Sequence, residues 1–371
     1  MKFKLDKLEH LHKFQLFNKI EKLKLATREN KTVSSESLIF HTIDNKLYIY
    51  ISNGISSAYS YICEVEDDFR SFAVDASSFT NALSNFPSNE IQFSILFDEN
   101  QLVFGNKKTR VSLKTSNVES ENINFQDLFL LDNNTFLDLD VNNLLNAIKY
   151  SSFSCAPDYD EYPYTSIMFF IKDNFFNTQS SDKHRISMFG QKYDGDSSFL
   201  ISKAQAELMK EFISKTSSKY TVHKGKFYIL WENGGFSCAI ENNTHQSVYN
   251  TFNQFFDNSE LITSFEINKN DILKSLRFIS SISSNHNFFM KSSGSQLIFS
   301  SSNNEKGAVI DKIQLSEEIV EFEASYLVNH FIKVLDIINK EDTTLSFFDY
   351  NGYTICIVED LDFKHLMFPM E

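Results

Sequence analysis

The stretch that decides the fold is Phe72-Ala73-Val74-Asp75-Ala76-Ser77-Ser78-Phe79-Thr80-Asn81-Ala82-Leu83. Its first residues form a short apolar run typical of a strand, and the polar Asp75 is followed by apolar residues at helical spacing. The same pattern recurs over 199–212 and over 320–338. A strand–helix unit therefore occurs three times in one chain, which is the signature of internal repetition.

Alternating strand patterns follow each of these three helices. In the first copy, apolar residues occupy every second position from Ile91 to Phe97, and two further short strands follow. The second copy turns at Lys224-Gly225, and the third turns at Asn351-Gly352, a dipeptide typical of two-residue hairpins. Each repeat therefore continues from its helix into antiparallel strands.

A second repeated unit, a short strand before a helix, opens each third of the chain at 3–5, 137–139 and 265–267. Leu5 and Leu139 are 134 residues apart, and Leu139 and Ile267 are 128 residues apart. We therefore predict an α+β fold of three repeated domains, each with two helices packed on antiparallel sheets. The predicted domains span 1–131, 132–257 and 258–371, with polar linkers near 132–134 and 257–259.

Composition excludes several classes of protein. Of 371 residues, 42% are hydrophobic and 23% are charged, the balance of a folded globular chain. With only ten glycines, the chain contains neither GxGxxG nor GxxxxGK[ST], which disfavours a nucleotide-binding enzyme. No run of eighteen apolar residues and no secretory signal occurs, so we expect a cytoplasmic protein with no membrane contact.

The four cysteines are Cys63, Cys155, Cys238 and Cys356, and each is isolated in or beside an apolar run. Because no CxxC spacing or neighbouring histidine accompanies them, we predict buried reduced thiols and no metal site. The sequence indicates no cofactor.

The net charge of −14 conceals an uneven distribution. We predict helices over 5–28, 76–86, 140–152, 202–219, 268–280 and 324–340. These segments carry sixteen Lys/Arg against eight Asp/Glu, a net of +8, so the remainder of the chain carries −22. A basic set of helices without base-reading elements suits salt-sensitive, non-specific contact with a phosphate backbone.

Several segments, taken in order, resemble a known family. They are Met1-Lys2-Phe3, 72–115, Ser181-Asp182-Lys183-His184-Arg185-Ile186, 265–279 and Leu366-Met367-Phe368-Pro369-Met370. Together they resemble the bacterial sliding clamp, the beta subunit of replicative DNA polymerase III, over the whole chain. Lys183 stands where the family has glycine, and the family's Pro-Ile-Leu signature is not recognisable at 32–38. The chain resembles a diverged member, compatible with a phage origin.

The resemblance implies a head-to-tail homodimer in which six domains close a ring with the helices inside. Such a ring encircles duplex DNA and acts as a polymerase processivity factor, with no catalytic site of its own. The DNA-facing candidates are Lys19, Lys22, Lys24, Arg28, Lys149, Lys210, Lys215, Lys274, Arg277 and Lys333. For any one of these side chains, an ordinary solvated helix face is the alternative.

The resemblance also implies a hydrophobic pocket for Leu/Phe-containing peptides of DNA polymerase and clamp loader. Its candidate residues are Tyr164, Ser181, Lys183, His184, Arg185, Ile186, Phe252, Tyr326, Ile355, Leu366, Met367, Phe368 and Met370. Apolar residues at a chain end need cover, and a Met-containing groove adapts to several peptides. The alternative is that this tail packs as a last strand.

The implied dimer interface joins an edge strand of the first domain to a segment of the third domain. The candidates are Lys108, Arg110, Val111 and Leu113 on one side, and Ile282 and Ser283 on the other. Ser283 stands where the family carries a larger apolar residue, which predicts a weaker dimer.

Two other functions compete with this interpretation. An enzyme would use the carboxylates Asp158, Asp160 and Glu161, or Asp194 and Asp196, yet no nucleophile or histidine is placed by the sequence to join them. Solvated loops explain these carboxylates better. A clamp-like interaction protein would bind clamp partners without encircling DNA, and mass in solution separates it from a ring-forming dimer.

Overall fold

The computed structural model describes residues 2–23, 37–66, 71–118, 136–157, 163–191, 198–213, 218–242, 253–255, 257–282, 287–303 and 307–370. The chain packs into two compact units. Unit 1 contains Met1–Val141 and Ala204–Glu241, and unit 2 contains Asn142–Lys203 and Asn242–Glu371.

The longer helices of the described residues are α1 (Lys7–Lys22), α2 (Ala76–Ser84), α3 (Val141–Ser152), α4 (Lys203–Phe212), α5 (Lys269–Ile282) and α6 (Val328–Ile337). The strands are β1 (Lys2–Asp6), β2 (Ser37–Ile43), β3 (Lys46–Ser52), β4 (Ser56–Glu64), β5 (Phe72–Asp75), β6 (Glu90–Leu96), β7 (Gln101–Gly105), β8 (Arg110–Lys114), β9 (Ser116–Asn117), β10 (Leu137–Leu139), β11 (Ser166–Lys172), β12 (Phe175–Ser181), β13 (Arg185–Phe189), β14 (Phe199–Ser202), β15 (Ser218–His223), β16 (Lys226–Trp231), β17 (Gly234–Ala239), β18 (Glu241–Asn242), β19 (Glu260–Asn268), β20 (Asn287–Ser293), β21 (Gln296–Asn303), β22 (Gly307–Gln314), β23 (Glu323–Leu327), β24 (Asp342–Tyr350), β25 (Tyr353–Asp360) and β26 (Phe363–Met367).

The strands form four sheets, and every pairing described between two strands is antiparallel. Sheet A has the order β1-β6-β7-β8, and sheet B has the order β10-β15-β16-β17-β4-β3-β2-β5-β9. Sheet C has the order β18-β14-β11-β12-β13-β26-β25-β24-β19, and sheet D has the order β22-β21-β20-β23. The α+β antiparallel fold expected from the sequence is confirmed.

The order of elements repeats three times, as strand, helix, four strands, helix and three strands, apart from the two-residue strands β9 and β18. Equivalent contacts recur as well. The ammonium group of Lys7, the first residue of α1, donates to the carbonyl oxygen of Ser84 at the end of α2 (2.8 Å). Lys269, the first residue of α5, donates in the same way to the carbonyl oxygen of Ile338 after α6 (2.5 Å). In the first and third repeats, a lysine that begins the first helix therefore caps the end of the second helix.

Local chemistry explains where the first helices begin. The carboxylate of Asp6 accepts from the backbone N–H of Leu8 (2.7 Å), and that of Asp75 accepts from the N–H of Ser78 (2.6 Å). Both are N-caps, which satisfy amide groups that the helix itself leaves unpaired. Phe79 on α2 is fully buried, and its ring centroid lies 4.9 Å from that of Phe14 on α1, so aromatic packing fixes both helices on their sheet.

Every predicted helix differs from the observed one by at least one residue, and three of these differences are informative. The first begins after Asp6 rather than at residue 5 and is described to Lys22, whereas the segment 324–327 belongs to β23 rather than to a helix. Residues 218 and 219 likewise belong to β15. In β23 the buried Ala324 and Tyr326 alternate with less buried neighbours, as in a strand that packs one face on the core. The helical spacing of apolar residues begins only after this strand.

Three further sequence expectations can be compared with the structure. All four cysteines are free, and Cys155, Cys238 and Cys356 are buried. No helix in the described part of the chain is long and apolar enough to cross a membrane. The three-domain boundaries remain a prediction, since the first lies outside the described residues and the two compact units divide the middle repeat.

Candidate partner-peptide site and basic helix faces

Strand pairing joins the Ser-Asp-Lys-His-Arg-Ile motif to the end of the chain. In sheet C, β13 pairs with β26, so that Arg185 lies opposite Met367 and Ile186 lies opposite Leu366. Beyond the strand, the backbone N–H of Phe368 donates to the carbonyl oxygen of His184 (3.0 Å). The tail is thus a last strand as far as Met367, and only its final residues leave the sheet.

An apolar cluster in unit 2 brings together five of the predicted pocket residues: Tyr164, Ile186, Ile355, Leu366 and Phe368. The phenylalanine ring of Phe368 meets that of Phe255 edge-on, with centroids 4.9 Å apart, and Tyr350 lies 4.5 Å from the other side of Phe255. Phe255 and Tyr350 belong to this cluster, and sequence reasoning did not predict them. Other aromatic residues surround each of them in the sequence, so no local signal singled them out.

Lys183 has a backbone φ of +76°, in the left-handed region that glycine adopts most easily. Glycine, which the resemblance implies at this position, would adopt this conformation at lower cost. The motif still forms the turn, because the Lys183 N–H donates to the hydroxyl of Ser181 (3.1 Å). The Lys183 ammonium lies 5.1 Å from the centre of the Tyr164 ring, a cation–π contact at the edge of the apolar cluster.

The predicted pocket residues differ in exposure. Lys183 and His184 are exposed, whereas Tyr164, Phe368 and Met370 are half-buried. The remaining described members, which lie beneath the surface, are Ser181, Arg185, Ile186, Tyr326, Ile355, Leu366 and Met367. The Tyr326 hydroxyl, for example, donates to the carbonyl oxygen of Thr354 (2.8 Å). Phe252 lies outside the described residues.

A cavity of about 260 Å³ lies beside the final residues of the chain. Its walls include Pro369, Met370, Glu323 and two exposed aromatic side chains, Phe289 and Tyr353. The tail is fixed there because the Met370 N–H donates to the carbonyl oxygen of Ser325 (2.7 Å). Sequence reasoning missed Phe289 and Tyr353, since each occupies an ordinary strand position and only the fold brings it to this cavity.

Two buried ionisable side chains, Arg185 and His365, belong to or contact the strand of the 181–186 motif. The Arg185 guanidinium donates to the carboxylate of Asp182 (2.8 Å) and to the carbonyl oxygen of Phe153 (2.7 Å). His365 is fully buried, with its Nδ1 2.9 Å from the hydroxyl of Ser187. Burial, followed by the positive charge of Arg185 and by His330, holds the pKa of His365 well below its usual value.

We expect the folded chain to lose stability as the pH falls below about 6.5. Burial, and then the charge of Arg185, lowers the pKa of His330 on α6 from 6.5 to about 4. The unfolded chain therefore takes up protons at higher pH than the folded chain does, which favours unfolding between these two values. The melting temperature of His330→Gln should fall less between pH 7 and pH 5 than that of the unaltered protein. The exposed His12→Gln is the control, and equal slopes for all three proteins would contradict the assignment.

Those predicted DNA-facing cations that the structure describes lie on helices, and several are paired with neighbouring side chains. Lys19 on α1 forms an ion pair with Glu211 on α4, and Arg277 on α5 pairs with Asp336 on α6 (3.0 Å). The other described contacts are Lys210 with Glu207 (2.7 Å), Lys274 with Asp271 (3.2 Å) and Lys149 with the Asn339 side-chain oxygen (3.4 Å). Exposed pairs of this kind are weak, so they can exchange a carboxylate for a phosphate.

The other predicted DNA-facing cations fall into two groups. Lys22 and Lys333 are exposed and form no ion pair with any residue that the structure describes. Lys24, Arg28 and Lys215 lie outside the described residues. With the observed bounds, the six helices carry eleven Lys/Arg against six Asp/Glu, a net of +5 in a chain of −14. The helices are therefore net positive in an acidic chain, as predicted.

The predicted interface residues lie at the edge of sheet A and at the end of α5. Arg110, Val111 and Leu113 belong to β8, which is the outermost strand of sheet A, and Lys108 is exposed in the turn before it. Ile282 ends α5, and Ser283 lies outside the described residues. In sheet D, β22 is one of the two outer strands and carries the 65% exposed Ile310, which the sequence did not single out.

The carboxylates of the enzyme alternative, Asp158, Asp160, Glu161, Asp194 and Asp196, all lie outside the described residues. Within the described ranges, no three His, Cys, Asp or Glu side chains come together where they could hold a metal ion.

Comparison with known proteins relates this architecture to a class of structure. No protein-family model matches the sequence, and no curated protein matches it. Among solved structures, the chain matches a DNA polymerase sliding clamp from Bacillus subtilis at 13% identity and a DNA polymerase III beta subunit from Thermotoga maritima at 14%. It also matches a DNA polymerase III beta chain from Streptococcus pneumoniae at 17%. Each match has a TM-score of 0.80 and covers all of this chain and 99% of the other.

The protein therefore has the sliding-clamp fold over its full length. Within that class, its fold is that of the DNA polymerase III beta subunits, as the sequence resemblance implied.

Proposed function

We propose that the chain is a DNA polymerase processivity factor. Two copies form a ring that encircles duplex DNA without sequence specificity and tethers polymerase and clamp loader through the tail pocket. The observation that carries this proposal is the full-length sliding-clamp fold, in a chain whose helices are basic although its total charge is acidic.

Ring closure is supported by two unpaired strand edges. The repeats join one another through β4 with β17 in sheet B and through β13 with β26 in sheet C. By position in the repeat, β22 is the equivalent of β4 and β13, and β8 is the equivalent of β17 and β26. Yet β22 and β8 are outer strands of sheets D and A. An unpaired edge is a template for another strand, and two such joints between two copies make a head-to-tail dimer.

These two pairings within the chain predict the register of the proposed pairing between β22 of one copy and β8 of the other. In each joint, one strand (β4 or β13) also forms a hairpin with the strand before it. The first residue of that strand to pair in the hairpin lies opposite the fourth residue of the partner strand (β17 or β26), as Ile186 lies opposite Leu366. Applied to β22 and β8, this rule places Gly307 opposite Leu113, Val309 opposite Val111 and Ile310 opposite Arg110. The buried Val309 then shares a face with the half-buried Val111, so this register keeps apolar faces together.

The helices supply the proposed DNA contact. Lysine and arginine side chains on exposed helix faces attract phosphate without reading bases, so the ring remains free to slide. The strands and loops carry the net negative charge of the chain, which repels DNA from the other surfaces. Such a tether needs no catalytic site, and we therefore propose an accessory subunit rather than an enzyme.

The tail pocket supplies the proposed partner contact. Half-buried Phe368 and Met370 flank an apolar cluster and a cavity, and exposed aromatic side chains line the cavity. Short peptides with Leu and Phe side chains match such a surface. The alternative, a clamp-like interaction protein that never encircles DNA, shares this pocket and lacks ring closure.

Retention on circular DNA is the decisive experiment. Chains at a concentration that permits subunit exchange are incubated with a closed plasmid and then passed through a sizing column at moderate salt. We expect the protein to elute with the circle and to be lost once a restriction enzyme linearises the plasmid. Only topological linkage predicts that difference. Equal retention on both forms of DNA would indicate ordinary electrostatic binding, and the absence of any dimer would favour the alternative.

A further inference from the structure

A groove of about 740 Å³ lies on the solvent-facing side of sheet A in unit 1. Cross-strand neighbours point to the same face, and one row of them crosses the whole sheet. That row is Lys4 on β1, Gln92 on β6, Gly105 on β7 and Arg110 on β8. Lys4, Gln92 and Arg110 are exposed, so the row forms an open floor with a cation at each end.

Gly105 keeps the middle of this groove open. A Cβ atom at this position would lie 2.3 Å from the carbonyl oxygen of Thr109, so no larger residue fits without moving the β7–β8 turn. That turn presents Lys107, a third cation of the groove wall. None of Lys4, Lys107 and Arg110 forms an ion pair with a described residue. Their charges therefore remain available to a ligand.

Sheet A differs in charge from the rest of the strand and loop surface. Its four strands and the turn at 106–109 carry six Lys/Arg against two Asp/Glu, in a chain whose total charge is −14. Of the two carboxylates, Asp6 already accepts from the backbone N–H of Leu8 as the cap of α1. Asp98 and Glu99 lie at the opposite end of the β6–β7 hairpin, in a 3₁₀ turn. The groove itself is lined by Lys4, Lys107 and Arg110 against Asp6 and Glu90, a net of +1 on a sheet of net +4.

We propose that this groove binds an extended acidic segment of a partner protein. Strands lie about 4.8 Å apart, so Lys4 and Arg110 are separated by about 14 Å, close to the spacing of side chains four residues apart in an extended chain. Gln92, Ser94 and Asn106 offer hydrogen bonds to a peptide backbone. A single-stranded nucleic acid fits less well, because the only aromatic ring in the lining, Phe104, is buried and leaves no platform for base stacking.

The test measures binding of a fluorescein-labelled decaglutamate peptide to the full chain by fluorescence anisotropy at low and at high salt. We expect salt-sensitive binding that Lys4→Glu combined with Arg110→Glu weakens by about tenfold or more. Lys46→Glu combined with Lys219→Glu makes the same change of charge on exposed residues of sheet B, outside the groove. This matched control should keep the affinity within about twofold of the unaltered protein.

Several outcomes would overturn the proposal. They are no binding by the unaltered chain, equal weakening by both double variants, and tighter binding of oligothymidylate than of decaglutamate at the same residues. The single variant Lys4→Glu changes β1, the strand of sheet A farthest from β8. It should therefore weaken peptide binding while the dimer remains intact, and circular dichroism checks that the variant is folded. The measurement uses no duplex DNA, so the groove and the ring can fail independently of each other.

Discussion

Replacing Leu113 and Phe278 together by Asp should convert the protein from a dimer near twice 43.0 kDa into a monomer at micromolar concentration. Leu113 is half-buried on the free edge strand β8. Phe278 is 51% exposed on α5, the helix that packs on the other free strand, β22. In the proposed interface both side chains lose their contact with water, and a buried carboxylate without a partner is strongly unfavourable. Each position occurs in both joints of the ring, so at about 2 kcal/mol or more per position the dissociation constant should rise about a million-fold.

Sedimentation equilibrium over a range of concentrations measures this change. Leu361→Asp is the matched control, because this leucine is 82% exposed in the turn between β25 and β26 and lies outside the proposed interface. The control should remain dimeric. If the double variant keeps the mass of the unaltered protein while remaining folded, the β8–β22 joint is not the interface.

Replacing Phe368 and Met370 together by Ala should weaken binding of a Leu/Phe-containing pentapeptide by about 30-fold or more, with the dimer intact. The ring of Phe368 packs edge-on against Phe255, and Met370 forms part of the cavity wall. Both truncations remove apolar surface that the peptide is proposed to cover, at about 25 cal/mol per Å². Neither residue lies within a strand, so the sheet framework keeps its pairing.

Isothermal titration calorimetry gives the affinity for this prediction, and sedimentation gives the mass of the same samples. The matched control replaces Leu361 and Val320 by Ala, since both side chains are exposed and apolar and belong to unit 2 but do not line the cavity. Unchanged peptide affinity in the Phe368/Met370 variant would show that the tail is a structural strand extension and not a binding surface.

Much of the local structure follows from the sequence. The cap-like Asp75, the apolar spacing of the helices and the hairpin at Asn351-Gly352 are short-range signals, and each forms the element it predicts. The cap at Asp6 was not predicted, since the predicted helix began at residue 5. The helix ends near 218 and 324 were wrong because alternating burial in β15 and β23 overrides the local helical spacing.

The candidate site was only partly predictable. The motif at 181–186 and the tail were predicted to lie together, and β13 and β26 do pair side by side, although their role as a pocket remains a prediction. Phe255, Phe289, Tyr350 and Tyr353 were missed, because an aromatic residue in a strand or short helix has the same local signal whether it faces a core or a cavity. The ion pairs of Lys19 and Arg277 join different helices, so no spacing rule within one helix identifies them.

The sequence by itself determined the threefold order of elements, the cap at Asp75 and the basic sign of the helices, because these depend on neighbours within a few residues. Tertiary structure decided which strands pair between repeats. The pairs β4 with β17 and β13 with β26 join residues more than 170 positions apart, and the backbone hydrogen bonds that hold them are chemically the same for every strand. Only the packed sheets therefore show that β8 and β22 each have one edge without a partner strand among the described residues, and the proposed ring depends on those two edges.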